Sequence, residues 1–253
     1  LSGRFLSERA GLVPLAHTEV RLEQARSIKA KLTQALQPLL RSELAARVLE
    51  TQQQRSVDVA LERLAPYRYL EPVMPSTFLG AHYTYRVRVH IGKQLEESLI
   101  TGQVPPIDFL LPPLGKRSQG HKLEVALFEK DFELLTPRVQ PLFLPRFGAS
   151  EPIYFTVRAP KEPGPAQLRI ALYYRNHMVQ AFLLEAQVQS EESDCASSDE
   201  RPLVVQLDFS RTTRFTNLER LPARSFGVAV NQNHDGSHYF MLKSGKHAQG
   251  IQL

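Results

Sequence analysis

Apolar and polar residues alternate along several stretches of this chain, and this period-two pattern constrains its fold more than any other feature. The first stretch covers residues 83–91, and others cover 168–174, 203–209 and 239–241. A period of two places apolar side chains on one face of a strand and polar side chains on the other. The sequence therefore predicts half-buried antiparallel strands of the kind that build a β-sandwich.

The whole pattern predicts a mainly β protein with an N-terminal α-helical segment. We expect an antiparallel β-sandwich of immunoglobulin-like type and a smaller second β unit. The helical segment is assigned to residues 1–65 and the sandwich to 66–190. An acidic linker or loop covers 191–202, and the second β unit covers 203–253. We expect that unit to be truncated, because a further strand starts near Gly250 and the chain reads as a piece of a longer protein.

Residues 18–64 carry apolar side chains at intervals of three and four, as an amphipathic helix requires. Pro38 ends or kinks the first helix, and Val57, Leu61 and Leu64 are assigned to a second. We interpret the pair as an αα-hairpin docked on the following domain. The alternative is an arm whose apolar face binds a helix of a partner protein.

Two turns are predicted between strands. Asn176 lies between Arg175 and His177, and asparagine tolerates the left-handed conformation that tight hairpin turns require. Asp235-Gly236 is a second hairpin signal. The strands predicted after the first one and before the acidic linker are Lys122–Phe128, Val139–Leu144, Ile153–Ala159, Gln167–Tyr174 and Met178–Gln189.

Cysteine content and hydropathy indicate the compartment. Cys195 is the only cysteine, so no intrachain disulfide can form, and this favours a reducing compartment. No apolar stretch approaches the roughly 20 residues that cross a bilayer, and the N-terminus lacks the pattern of a secretion signal. We therefore expect a cytoplasmic protein that acts away from membranes.

The net charge of +5 raises the question of nucleic-acid binding. The densest basic run contains Arg211, Arg214, Arg220 and Arg224, interrupted by Glu219. Because phosphate contacts need arginine and lysine gathered on one face, we interpret this run as a solvated surface. A nucleic-acid partner is not expected.

Residue types of catalytic and metal sites occur close together near the second hairpin. His234, Asp235, Ser237 and His238 match a hydrolase triad in type, yet working triads gather their members from separate elements. His234, His238 and His247 could converge on zinc, but the sequence contains no cysteine pair or calcium-binding loop that would support a metal site. Phosphate-binding glycine loops and nucleophile elbows are absent from the sequence. We predict no catalytic residue, cofactor or metal.

Cys195 lies among carboxylates, which raise a thiol pKa and weaken it as a nucleophile. Tyrosine is abundant beside the strands and serves either in sheet packing or as an interface anchor. We predict a protein-binding surface on an exposed sheet edge near Tyr173–Phe182 and on the apolar face of the first helix. Its residues are Tyr173, Tyr174, Arg175, Phe182, Ile28, Leu32 and Leu36.

Several strand passages resemble a known group of proteins. They are residues 83–92, 121–129, 168–176 and 179–185, followed by 224–231 and 234–243. Together they are similar to the non-catalytic β-rich region of bacterial conflict-system proteins. In that group the region stands beside caspase-like (CHAT) or trypsin-like peptidase domains, or is encoded with ATPase and von Willebrand A-type partners. The resemblance covers about residues 66–253 and supplies no catalytic residue.

The resemblance implies a regulatory module of a bacterial defence or signalling protein, which couples a sensed signal to an effector. Its expected partners are proteins, among them a peptidase or ATPase component. Two alternatives stay open: a fragment of a hydrolase whose catalytic domain lies outside this chain, and a weak nucleic-acid-binding module.

Overall fold

A computed structural model describes residues 55–64, 70–194, 201–212, 224–232 and 236–252. Within these ranges the chain is mostly β, with one short 3-10 helix at Ile107–Phe109. The helices predicted before residue 55 lie outside the described residues. The other predicted features that lie outside them are Ile28, Leu32, Leu36, Cys195, Arg214, Arg220, His234 and Asp235.

The first sheet contains five strands. They are β1 (Ser56–Leu64), β2 (Leu70–Pro72), β4 (Thr84–Gly92), β6 (Glu133–Leu134) and β8 (Ile153–Arg158). Their order is β2-β1-β4-β8-β6, and neighbouring strands are antiparallel. The longest pairing joins β1 to β4, from Ser56 opposite Gly92 to Arg63 opposite Tyr85.

Strand β1 corrects the predicted helical segment, which was wrong for residues 56–64. Val57, Val59 and Leu61 are all buried in the hydrophobic core, whereas Asp58 lies on the opposite face of the strand. The spacing of Val57, Leu61 and Leu64 fits a helix, but Val59 between them fits only the period of a strand. Pairing with β4 then fixes the strand conformation.

The second sheet contains seven strands. They are β3 (Thr77–Gly80), β5 (Gly120–Glu129), β7 (Val139–Pro145), β9 (Gly164–Tyr174), β10 (His177–Gln189), β11 (Ser193–Asp194) and β12 (Leu203–Ser210). The order is β11-β3-β10-β9-β5-β7, and β12 also pairs with β10. Strand β10 is long enough to hold β12 along most of one edge and β3, in parallel, at its end.

This pairing changes the predicted boundaries between units. Strand β11 lies inside the expected linker 191–202 and pairs with β3. Strand β12 was expected to open the second β unit, yet it belongs to the second sheet, where Ala186 lies opposite Leu203. Only the strands after β12 form a separate sheet. The reason is that β10 exposes an unpaired edge on the side away from β9, and β12 satisfies its hydrogen bonds.

The inner faces of the first two sheets share one hydrophobic cluster. It includes Leu61 and Val87 from the first sheet and Leu127, Ile170 and Phe182 from the second, all buried. Full burial of one such side chain contributes about 1.5–3 kcal/mol. The two sheets therefore pack face to face around a common core.

A short segment, 98–101, links the two sheets through the main chain. The Leu99 N–H donates to the carbonyl of Val59 in β1 at 2.9 Å. The Val205 N–H of β12 donates to the Leu99 carbonyl, and the Thr101 N–H donates to the Val205 carbonyl, each at 2.9 Å. Segment 98–101 thus joins β1 of the first sheet to β12 of the second sheet by main-chain hydrogen bonds.

The third sheet consists of β13 (Gly227–Gln232), β14 (His238–Ser244) and β15 (His247–Gln252), in that order and antiparallel. It packs on the outer face of the second sheet. Ala126, Ala171 and Ala181 lie side by side on neighbouring strands of that face. These small side chains leave room for Tyr239 and Met241 of β14, which are buried with them in a second hydrophobic cluster.

Both predicted hairpins are confirmed. Arg175 and Asn176 join β9 to β10 with φ values of 51° and 62°, the left-handed conformation expected of a tight primed turn. Strands β13 and β14 pair from Gln232 opposite His238, across the second turn. Strand β15 begins at His247, earlier than the expected start near Gly250. The predicted strands within 120–189 are also present.

Candidate functional site

The sheet edge predicted to bind a partner, near Tyr173–Phe182, is not an edge. Strand β9 lies between β5 and β10, and β10 lies between β9 and β12. Tyr173 is buried under the third sheet and Phe182 is buried in the main core. The prediction that these two side chains are exposed is therefore wrong. A strand buried on both faces is apolar at most positions, and the sequence does not show which face is covered.

The other two predicted sheet residues reach the surface partly. Tyr174 is half-buried, and its ring meets that of His121 edge-on at 5.6 Å between centroids. Arg175 is half-buried in the β9–β10 turn. Both line a cleft of about 350 Å³, together with Lys122 and the prolines at 112 and 113. The described residues that line the cleft include no aspartate or glutamate.

The most exposed apolar surface lies elsewhere, on strand β13 and the residue before it. Phe226, Val228 and Val230 are 54, 50 and 51% exposed. They point away from the second sheet because the alternate positions, Gly227 and Ala229, are the half-buried ones. An apolar set on the outer side of a strand is the reverse of the usual arrangement.

This surface continues across the neighbouring strands. Val228 lies opposite Leu242 and Val230 lies opposite Phe240, both half-buried residues of β14. Phe240 in turn lies opposite the exposed Ile251 of β15. We call the six side chains the outer apolar face: Phe226, Val228, Val230, Phe240, Leu242 and Ile251.

Phe226, Val228 and Val230 alternate with smaller or polar residues in the sequence, but alternation alone does not identify which face of the sheet they occupy. The missed signal is in β14, where Tyr239, Phe240, Met241 and Leu242 are four consecutive apolar residues. A strand with apolar residues at both parities has two apolar faces. Since Tyr239 and Met241 are buried against the second sheet, the alternate residues, Phe240 and Leu242, belong to the outside.

A buried lysine holds the third sheet in place. The Lys243 ammonium group donates to a Glu124 carboxylate oxygen at 2.7 Å, the Asn176 side-chain oxygen at 2.7 Å and the Gly245 carbonyl at 2.8 Å. Its nitrogen also lies 5.0 Å from the centre of the Tyr173 ring. All three ammonium protons therefore have acceptors, which is the condition for burying such a charge.

Tyr239 provides the second anchor. Its hydroxyl donates to the Glu129 carbonyl at 2.7 Å, and the guanidinium of Arg169 lies 5.0 Å from its ring centre. Burial raises the pKa of this phenol. A side chain at Gly250 would overlap the Tyr239 hydroxyl, so glycine is required where β15 crosses it. These contacts fix the orientation of the outer apolar face.

One end of the outer apolar face is positively charged. The Asn176 side-chain amide donates to the Arg224 carbonyl, which brings the β9–β10 turn against the start of β13. Burial lowers the pKa of His177, the first residue of β10 after that turn, and the charges of Arg224, Arg211 and Arg175 lower it further. Arg175 lies in this turn, and the Arg211 N–H donates to the Val179 carbonyl of β10 at 3.1 Å, so main-chain contacts bring the three arginines to the same end of the sheet. We call Arg175, Arg211 and Arg224 the basic end.

A cavity opens beside this end. It has a volume of about 420 Å³ and is lined by Phe226 and Leu242 of the outer apolar face and by Arg138 and His247. Neither described range of the third-sheet region, 224–232 or 236–252, contains an aspartate or glutamate. The charged side chains within these two ranges are therefore all basic, while the Asn231 side-chain amide of β13 donates to the Asp208 carboxylate of β12.

The described histidines do not converge on a metal. His238 begins β14, whereas His247 pairs with Ser244 at its other end. At about 3.4 Å per residue the two lie roughly 20 Å apart along the strand. Among the described residues no group of three histidines, cysteines or carboxylates could hold a metal ion.

Charged residues also cluster on the outer side of the first sheet. Asp58 is fully buried there, with its carboxylate 3.4 Å from a ring nitrogen of His90 and 4.0 Å from Arg88. Arg88 pairs further with Glu62 and Glu97. Acids and bases alternate across paired strands, as in a structural ion-pair network.

No protein-family model, curated protein or solved structure matches the chain. Within the part of the chain that the structure describes, helices of the length and apolar character needed to cross a membrane are absent.

Proposed function

We propose that this β unit is a non-catalytic protein-interaction module and that the outer apolar face is its contact surface. One observation carries the proposal: Phe226, Val228 and Val230 are each about half exposed and lie side by side with further apolar residues. Large exposed apolar patches on folded proteins are characteristic of binding sites.

The energetics support the same conclusion. Covering apolar surface contributes about 25 cal/mol for each Å² removed from water. The anchoring of Lys243 and Tyr239 holds the face in one orientation before binding. A preorganised surface loses little conformational entropy when a partner binds, so more of the burial energy contributes to affinity.

The cellular role that we propose follows from the resemblance of the strand passages to the β-rich region of bacterial conflict-system proteins. We propose that the first two sheets form an immunoglobulin-like sandwich, and that the module serves a bacterial defence or signalling protein. It would couple a sensed signal to an effector, such as a peptidase or ATPase component. The single cysteine supports a reducing, cytoplasmic location.

Site-specific photo-crosslinking in cells that express the native protein tests the contact surface. A photoreactive residue at position 228 is expected to link to one defined protein species. The matched control position is 109, because Phe109 is an equally exposed apolar residue outside the third sheet. A second substitution, Val230→Lys, should abolish the link from 228. Equal linking from both positions, or none from 228, would contradict the proposal.

A further inference from the structure

We infer that the partner presents an extended segment with acidic residues, which adds as a fourth strand to the open edge of β13. This inference rests on the proposed function, because it identifies the chemistry of what the outer apolar face binds. It joins three features of the described residues: an unprotected strand edge, alternating exposed apolar side chains, and a positive charge at one end.

The open edge is the first feature. Within the described ranges β13 hydrogen-bonds to β14 and to no other strand, which makes it an edge strand of the third sheet. Two other edge strands carry proline, which has no N–H to donate: β2 contains Pro72, and β7 contains Pro141 and Pro145. The six residues of β13, Gly-Val-Ala-Val-Asn-Gln, contain neither proline nor charge.

The side chains of β13 suit an added strand. Val228 and Val230 point outward from alternate positions and are half exposed. A strand added at about 4.8 Å would place its own alternate side chains beside these two valines. Each such cross-strand pair contributes roughly 0.2–1 kcal/mol. Main-chain hydrogen bonds would supply affinity, and the valines would select apolar residues at every second position.

The basic end determines the charge of the segment. Arg224 precedes β13, and Arg175 is next to Asn176, whose side chain contacts the Arg224 carbonyl. Arg211 is anchored nearby through its N–H to the Val179 carbonyl at 3.1 Å. A carboxylate contacts β13 at its other end, where the Asn231 side-chain amide donates to Asp208. Beside Arg224, complementarity favours acidic residues on the part of the segment that reaches this arginine.

Synthetic peptides test the inference on the purified full chain. The probe is a peptide of about ten residues in which valine alternates with threonine, followed by a pair of glutamates. Four further peptides are compared: one has the valines in scrambled order, one has lysines in place of the glutamates, and two have N-methyl groups on one or the other set of alternate residues. Binding is measured by fluorescence anisotropy at low and physiological salt.

We expect the alternating acidic peptide to bind at least about tenfold more tightly than the scrambled and lysine peptides. N-methylation should abolish binding when it removes the N–H groups that face β13, and should be tolerated on the alternate residues. Rising salt should weaken binding because the basic end is at the surface. Equal affinity for all peptides would overturn the inference.

Variants of the chain assign the contact. Arg175→Gln combined with Arg224→Gln should weaken binding of the acidic peptide about tenfold, and Val230→Lys should abolish it. The matched control is Arg117→Gln, at an exposed position outside the third sheet, which should leave binding unchanged. An equal loss in the control would overturn the assignment of charge to the basic end.

Three other results would overturn the inference in different ways. Sedimentation that shows a dimer dissociated by Val230→Lys would identify a second copy as the occupant. A single-stranded oligonucleotide that outcompetes the acidic peptide would favour a nucleic-acid partner. Peptides that all fail to bind, while crosslinking from position 228 still succeeds, would leave the proposed function intact and exclude strand addition. Failure of both would remove the proposed function as well.

Discussion

Three alanines and one glycine set how closely the third sheet approaches the second. Ala126, Ala171 and Ala181 provide the space into which Tyr239 and Met241 pack, and Gly250 lets the Tyr239 hydroxyl pass to the Glu129 carbonyl. At the scale of single residues, the position of the outer apolar face thus depends on small side chains beneath it. Larger side chains there would displace the whole sheet because packed interiors have little free volume.

Gly250→Ala tests this dependence. The added methyl group overlaps the Tyr239 hydroxyl, so we expect the free energy of unfolding to fall by about 1–3 kcal/mol, as measured by urea denaturation. Gly115→Ala is the control, because a methyl group at Gly115 meets nothing within 4 Å. That substitution should cost less than about 0.5 kcal/mol. Similar losses in the two variants would contradict the packing described for Tyr239.

His121 is expected to make stability depend on pH. Burial lowers its pKa, the charge of Arg55 lowers it further, and Asp108 opposes them. The unfolded chain therefore binds a proton at higher pH than the folded protein. Stability is complete above the unfolded pKa of about 6.5 and falls as the pH drops below it, by at most about 1.4 kcal/mol per pH unit for one histidine.

The measurement is urea denaturation between neutral and mildly acidic pH. His121→Phe keeps an aromatic ring against Tyr174 and should reduce the dependence of stability on pH. The pH dependence that remains is expected from His90 and His177, because their pKa values are lowered too. His247→Gln, at an exposed position, is the comparison. An unchanged slope in His121→Phe would show that this histidine is not involved.

At the scale of elements, Lys243 joins β14 to two parts of the second sheet. Replacing it with methionine removes the hydrogen bonds to Glu124 and Asn176. Because Glu124 remains partly exposed to water, we expect a moderate loss of about 2 kcal/mol in unfolding free energy. Lys246→Met, in the adjoining turn and exposed, should change stability by less than about 0.5 kcal/mol. A comparable effect of both would argue against the anchoring role.

Period-two alternation predicted most strands correctly, because β4, β5, β9 and β10 each pack against the core through regularly spaced apolar residues. It was not applied to β1, where Val57 and Leu61 also fit a helix; Val59 fits the period of a strand, and the pairing with β4 fixes that conformation. It also could not assign faces. Phe182 and Val230 both belong to alternating or apolar runs, yet one is fully buried and the other half exposed. Local sequence gives the period of a strand, whereas the covering layer is a tertiary feature.

In the predicted site, too, some features follow from local sequence and others depend on tertiary packing. Arg175 and the turn at Asn176 could be found from local turn chemistry. Arg211 and Arg224 were identified as a basic run, but their approach to the β9–β10 turn depends on contacts between distant parts of the chain. The burial of Tyr173 depends on a sheet that begins more than 50 residues later. Such long-range packing has no signature within one stretch of sequence.

At the scale of the whole molecule, two clusters of unequal size hold three sheets. The large one unites the first two sheets, and the small one holds the third sheet on the second. We expect native-state hydrogen exchange to reflect this difference, with amides of β13 and β15 exchanging before those of β9 and β10. Mass spectrometry after brief labelling measures it. Equal protection of all four strands would mean that the three sheets open together.

Segment 98–101 carries a mechanical consequence. Its Leu99 hydrogen-bonds to Val59 in β1 of one sheet, and its Leu99 and Thr101 hydrogen-bond to Val205 in β12 of the other. Sliding one sheet past the other must therefore break main-chain bonds at this seam in addition to separating the core. The first two sheets should therefore resist sliding past each other. A pulling force applied by a partner bound to the third sheet would detach the third sheet from the second before it separated the first two sheets.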